Sequence, residues 1–340
     1  MKVIRDDRPV LNNEIAVLGW GSAVGSVDVP NEALTQFPAS VRPAIAQKTG
    51  ILGRRHSSKD EATSDLAIAA ARRALVGGGI NPADLGAIIV ATSTPDHLLP
   101  ATAAIVQHGI RASGAATFDL NAVCSGGVYG LIVGHALAAA QGRSVLVIGA
   151  DTYSKILNPN DFGTYPYFGD GAGAVILGPR PVGRSALIFD PGSFIWGTDG
   201  SGSQVIVVPA GGSREPASRT EDPSRLFFKM AGRQVYDFAV SKGEAIVREL
   251  IKRCGDQGLI GHVVLHQANI NILREISQRV GVPMDRFPVN LDRLGNTAAA
   301  GALIALTEVL DQGALSVSTS VFLVAFGGGL SWAGLRLVQR

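Results

Sequence analysis

The sequence predicts an α/β fold whose layout occurs twice. Short apolar runs of strand length alternate with longer amphipathic or alanine-rich stretches at helical spacing. A first series closes near the glycine-rich Asp170-Gly171-Ala172-Gly173, and a second opens at Ala186. Hydrophobic residues make up 46% of the 340 positions and charged residues 17%, enough apolar surface to bury sheets under helices on both sides. The repeat of the layout is loose, and identity between the halves is too low to establish duplication. No linker separates independent domains, so the halves are taken as residues 1–182 and 183–340.

The first strand is expected at Ile15–Leu18. Gly19-Trp20-Gly21-Ser22-Ala23-Val24-Gly25 follows and invites comparison with a dinucleotide-binding loop. That fingerprint needs a helix opening on its last glycine, whereas Val27-Asp28-Val29-Pro30 comes next, and Pro30 excludes one. The run therefore reads as a strand end and a turn. A helix over Ser64–Val76, strands at Ala87–Ala91 and Thr117–Leu120, a helix over Cys124–Ala140 and strands at Ser144–Gly149 and Ala174–Leu177 complete the first series. The second holds a strand at Ala186–Phe189, an exposed loop over Pro209–Pro223 and a helix over Gly232–Arg253. A strand at His262–Leu265, helices over Asn269–Val280 and Thr297–Leu310, and a strand at Ser320–Phe326 follow.

Several function classes are disfavoured. The formal net charge is +2 with scattered basic residues, which argues against nucleic acid as the main partner. No uninterrupted apolar stretch of about 18 residues indicates a membrane span. The charged start, Met1–Pro9, does not resemble a secretory leader, so a cytoplasmic location is expected. Two cysteines, Cys124 and Cys254, make no disulfide framework. His262 and His266 stand four apart on a strand-like run without an accompanying carboxylate or cysteine, so no metal site is expected.

Cys124 follows an alternating segment, Phe118 to Asn121, and precedes a helix. A thiol there meets the positive end of the helix dipole, which favours thiolate. A small buried packing cysteine explains the same position. Cys254, at an expected helix end, reads as inert. His266 stands at a strand end beside Gln267 and Asn269, where functional groups collect in open α/β sheets, although a structural histidine also fits. Asn296 precedes an apolar helix and could act as its N-cap. Phe326-Gly327-Gly328-Gly329 ends a strand, exposing backbone N–H groups as an oxyanion site requires, or simply forming a hairpin turn.

Together, "DLNAVCSGGVYGL", "FGDGAGAVIL", "HQAN", "GNTAAAG" and "FGGGLSW", in that order, resemble the thiolase-fold β-ketoacyl-acyl-carrier-protein synthase III family from Ile15 to Leu337. The resemblance implies a five-layered α-β-α-β-α fold of two similar halves, a homodimer, and a catalytic set of Cys124, His266 and Asn296. It also implies an oxyanion hole from the N–H groups of Cys124 and Gly328, with no cofactor or metal. The implied reaction is a decarboxylative Claisen condensation. Cys124 takes an acyl group from an acyl-CoA or acyl-carrier donor, and a malonyl thioester, on carrier protein or CoA, supplies the carbanion. The alternative is an acyltransferase delivering the acyl group to a hydroxyl or amine.

Departures from the family pattern bear on substrate. The Trp that stacks on the adenine of coenzyme A is Ala44 here, its partner Arg is Phe162, and the Arg of the Arg-Thr-Gly-Ile run is Lys48. The Phe that crosses the dimer to limit the acyl pocket aligns with Leu99, and Phe326 is a further pocket candidate. The carrier-docking Arg is Asn271, leaving Arg233, Arg274 and Arg279 as candidates. Ordinary acetyl-CoA priming is therefore not expected.

Overall fold

The computed structural model describes residues 14–313 and 315–340. The charged run Met1–Pro9 lies outside them. In chain order the first elements are β1 (Ile15–Val24), β2 (Val27–Pro30), α1 (Pro43–Thr49), β3 (Gly53–His56), α2 (Thr63–Gly78) and β4 (Leu85–Ala91). Then come α3 (Thr102–Gly109), β5 (Ala116–Leu120), α4 (Gly126–Gln141), β6 (Ser144–Asp151) and β7 (Gly171–Pro179). The later elements are β8 (Leu187–Thr198), β9 (Ile206–Val207), β10 (Lys229–Met230), α5 (Gly232–Cys254) and β11 (Ile260–Leu265). The chain closes with α6 (Ile270–Val280), α7 (Leu291–Leu294), α8 (Gly301–Asp311), β12 (Ser320–Gly327) and β13 (Ser331–Gln339).

The main sheet runs β11-β12-β13-β8-β1-β7-β6-β4-β5. Its order is one motif written twice, back to back. β6 is parallel to β4 and antiparallel to β7. In the same way β12 is parallel to β11 and antiparallel to β13. The two copies meet where β1 pairs with β8 at Ala16 and Ile188.

Period-two alternation sorts the strand side chains between layers. Val145 and Val147 of β6 share a central core with Val128 and Leu131 of α4 and Leu303 and Leu306 of α8. Leu146 and Ile148 face the other way, onto Leu66, Ala70 and Ala74 of α2. The second copy behaves alike. Val321 and Leu323 of β12 enter the central core. Phe322, Val324 and Phe326 pack outward on Val240 and Val247 of α5 and Ile272 and Ile276 of α6. The layers thus run α-β-α-β-α, with α4 and α8 in the middle.

Val123–Gln141 is apolar enough to cross a membrane by length and composition, with a mean hydropathy of 1.5, yet 61% of that window is buried inside the protein. It is a core helix. A Cβ at Gly130 would lie 2.8 Å from the Val147 side chain, so glycine lets the helix settle on β6.

One expectation is corrected. Gly19–Val24 is not a turn but the continuation of β1, paired with β7 from Gly19 and Ile176 to Val24 and Gly171. The glycines serve packing, since a Cβ at Gly19 would meet the Ala74 carbonyl oxygen at 2.4 Å and one at Gly21 the Arg73 Cβ at 2.6 Å. The loop expected at Pro209–Pro223 does lie between β9 and β10.

Candidate active site

Cys124 stands where β5 turns into α4. Val123 before it has φ 49°, a left-handed conformation that is strained for a β-branched residue. Asn121 Oδ1 accepts the Val123 N–H at 3.2 Å, and a single 3-10 turn, Val123–Ser125, leads into the helix. Ser125 Oγ donates to the Ala122 carbonyl and lies 2.8 Å from Ser331 Oγ, which ties this elbow to β13.

His266 follows β11, its N–H donating to the Val324 carbonyl at 2.8 Å. The Phe326 ring meets it edge-on, with centroids 5.7 Å apart. Gln267 fixes the turn by donating to the Leu265 and Pro288 carbonyls and accepting from the Asn290 N–H. Asn296 follows α7, its N–H donating to the Tyr167 carbonyl and its carbonyl accepting from the Gly169 N–H. Its Oδ1 accepts the Ala298 N–H at 3.0 Å, which leaves the amide Nδ2 to donate elsewhere. It does not cap α8, whose N-cap position is Ala300.

The three side chains line one cavity of about 250 Å³. Tyr167, Phe168, Ile206, Phe228, Met230 and Phe326 make its apolar wall, and exposed Lys48 and Gly163 border it. Beside Cys124, Tyr153 stacks on Phe168 at 4.8 Å and Phe228 closes edge-on against both. At the end of β12, Gly327 faces the elbow: a Cβ there would come 2.7 Å from the Cys124 nitrogen. Glycine keeps that backbone N–H approachable. Gly328 is buried beside it, against Val123.

Burial pushes the Cys124 thiol up, and the Asp151 carboxylate pushes it the same way. Loss of water around the sulfur thus opposes the thiolate that the position before the helix favours. Burial pushes His266 down to about 4. It is neutral at pH 7, and its Nδ1 is buried without a hydrogen-bond partner among the described residues.

A histidine held below its usual 6.5 favours the folded state above that value. Between pH 6.5 and about 4 the unfolded chain binds the extra proton, so stability falls as pH falls through this window. The displacement corresponds to roughly 3 kcal/mol. Urea unfolding at pH 7.5 and 4.5 should show wild type losing more stability than His266→Gln; equal losses would refute a buried neutral ring.

A family model described as 3-Oxoacyl-[acyl-carrier-protein (ACP)] synthase III matches residues 118–200, and its C-terminal counterpart matches residues 256–338. Beta-ketoacyl-[acyl-carrier-protein] synthase III of Roseiflexus sp. (strain RS-1) is 42% identical over 326 residues, 94% of this chain and 97% of the relative. The chain belongs to the β-ketoacyl-acyl-carrier-protein synthase III family. Within that family, Acetoacetyl CoA synthase NphT7 of Streptomyces sp. (strain CL190) is 40% identical over 95% of this chain and 98% of its own. The synthase III crystal structure from Thermus thermophilus matches with a TM-score of 0.85 at 36% identity, covering 95% of this chain and 98% of that one. The thiolase-like fold is thus that of the synthase III enzymes, which are condensing enzymes.

The other residues expected to serve this synthase III chain are dispersed. Phe326 lines the cavity. Phe162 does not: its ring turns edge-on to Phe37 at 5.2 Å and packs beside the cavity rather than into it. Leu99 lines no part of the cavity in its own chain either, being 86% exposed beside Pro100. Arg279 is held by Glu244 and Glu275, and Arg233 pairs with Asp237. Arg274 is exposed and has no ion pair among the described residues. Sequence reasoning missed Phe228 and Met230, which carry no motif, and Asp151, a wholly buried carboxylate at the end of β6.

Proposed function

We propose that this protein joins an acyl group to a malonyl-derived carbanion through acyl-Cys124. The observation that carries the reading is the convergence of Cys124, His266 and Asn296 on one apolar cavity, with Asn296 Oδ1 already occupied and its Nδ2 left as a donor. In the first half-reaction the Sγ proton passes to neutral His266 as sulfur attacks the acyl carbonyl. The oxyanion is held by the N–H groups of Cys124 and Gly328, and the departing thiolate of the donor takes the proton back. In the second, the bond to the malonyl carboxylate breaks and carbon dioxide leaves. The remaining electron pair becomes an enolate, stabilised by hydrogen bonds from His266 and Asn296 Nδ2. Its carbon attacks the acyl carbonyl and expels the Cys124 thiolate, which takes a proton from solvent.

Acetyl-CoA is not the favoured primer on this reading. Ala44 offers no ring, and Phe162 is committed to Phe37, so neither forms the stacking platform for an adenine. The malonyl donor is a phosphopantetheine thioester, and of Arg233, Arg274 and Arg279 it is Arg274 that is exposed without an ion pair among the described residues, free to meet an acidic carrier helix. The division at 182/183, in the connection between β7 and β8, and pairing of two copies through the exposed Leu98 and Leu99 belong to the same proposal.

Intact-protein mass spectrometry with a panel of acyl-CoAs and acyl carriers, followed by malonyl carrier, tests it. The expected result is an adduct on Cys124 that is discharged with carbon dioxide release. Turnover should fall in Arg274→Glu with carrier-bound but not CoA-bound malonate. An adduct stable to malonyl carrier but transferred to an alcohol or amine would make the protein an acyltransferase, and rapid labelling by micromolar acetyl-CoA would refute the primer assignment.

A further inference from the structure

The two copies of the sheet motif carry two copies of the nucleophile elbow. Asn121-Ala122-Val123-Cys124-Ser125-Gly126 and Asn296-Thr297-Ala298-Ala299-Ala300-Gly301 share their backbone course, although Ser125, which ties the first to β13, is Ala300 in the second. Each asparagine Oδ1 accepts the N–H two residues on. Val123 and Ala298 both have left-handed φ, 49° and 47°. Each is followed by a 3-10 turn, and α4 and α8 then begin at Gly126 and Gly301. Cys124 therefore corresponds to Ala299.

The strands facing the two elbows correspond as well. β12 ends at Gly327, which leaves the Cys124 N–H open. β6 occupies the equivalent place in the other copy and ends at Asp151, which fills the equivalent position. Asp151 Oδ2 accepts the Ala299 N–H at 2.9 Å. Its Oδ1 accepts the Ser93 N–H at 2.8 Å and the hydroxyls of Ser93, Thr94 and Thr92 at 3.0, 3.0 and 3.2 Å. The second elbow thus contains a resident carboxyl oxygen accepting its N–H where the first is open to the substrate's oxyanion.

We propose that Asp151 is a positioning residue for Asn296: by binding the Ala299 N–H it holds the second elbow, and so sets the direction in which the Asn296 amide donates. The proposal rests on Asn296 serving decarboxylation. Its geometry is continuous, since the Asn296 Oδ1 grips the Ala298 N–H and Asp151 grips the next one.

Asp151→Asn separates this from a general structural role. The amide oxygen would take the crowded Oδ1 side, where the donors converge, and the NH2 would then confront the Ala299 N–H, donor against donor. The elbow must move. Misplacing an orienting group by about 1 Å costs about 10- to 100-fold, and that loss is expected in carbon dioxide release from malonyl thioester. Acylation of Cys124 should be unchanged or faster, because the carboxylate that disfavours the nearby thiolate is gone. Slower decarboxylation with acylation unchanged or faster supports the proposal; a parallel loss of both, or no loss of decarboxylation, overturns it. If Asp151→Asn does not fold, Ser93→Ala decides, since it removes one Oδ1 donor while the Ser93 N–H remains. Slower decarboxylation with intact acylation supports the proposal, and any other pattern overturns it. Wild type that labels Cys124 but releases no carbon dioxide refutes the role of Asn296 itself, a distinct failure that takes this inference with it.

Discussion

Cys124→Ala is expected to form no covalent adduct with any acyl donor and to lose condensation by roughly 10^4-fold or more, because on the proposed path the acyl group is carried by a bond to this sulfur. The variant should fold. Cys124 is buried among Tyr153, Leu157, Phe168 and Phe228, and loss of one sulfur atom leaves that cluster and the elbow's hydrogen bonds in place. The informative part is what survives. His266 and Asn296 come from other elements and do not depend on the thiol for their position, so carbon dioxide release from malonyl thioester should persist, the enolate taking a proton from water to give the acetyl thioester in place of a β-ketoacyl product. Mass spectrometry and carbon dioxide measurement on one preparation settle this. An adduct in the alanine variant would move the nucleophile elsewhere, and unchanged condensation would remove the covalent mechanism.

Asn296→Asp should show the reverse pattern: Cys124 still takes the acyl group, while condensation falls by about 10^2- to 10^3-fold, the cost of losing one preorganised donor to a developing oxyanion. Aspartate is the better test than alanine. Truncation to alanine would strand the buried Ala298 N–H, a defect of about 1–3 kcal/mol that could loosen the elbow on its own. Aspartate keeps an oxygen for that N–H and replaces only the Nδ2 donor, setting an acceptor before the enolate. His266→Ala should lose condensation similarly, and also acylation, since the imidazole receives the Sγ proton on the proposed path. Single-turnover acylation and steady-state condensation measured on both variants check the split. Equal losses in both half-reactions for Asn296→Asp would contradict its assignment to the second step.

Much of this was legible in the sequence because the features are local. Strands such as Ser144–Gly149 and Ser320–Phe326 are buried on both faces and read as continuous apolar runs, and the helices around them carry their own periodicity. Cys124, His266 and Asn296 stand at element ends, and those ends were visible. What was hidden depends on neighbours distant in sequence. Gly19–Val24 looks like a turn until α2 lies across it and uses the missing side chains. The Cys124 environment could not be judged from its helix position, because its burial comes partly from Phe228 and Ala298. Phe162 aligns with a cofactor-facing position but has a nearer partner in Phe37. Asp151 carries no motif, and its importance lies in donors from the 92–94 segment and from Ala299.

The back-to-back sheet also has a consequence in time. Cys124 leaves the ribosome well before Phe228, Ala298 and Gly327, the residues that later enclose it. A nascent chain holding only β1 to β7 has Tyr153, Leu157 and Phe168 beside the sulfur but lacks Phe228, Ala298, the His266 imidazole and Ser331, to which the elbow is tied. The cavity beside the sulfur is therefore completed only by residues such as Phe326 and Gly327 of β12, which are made among the last of the chain.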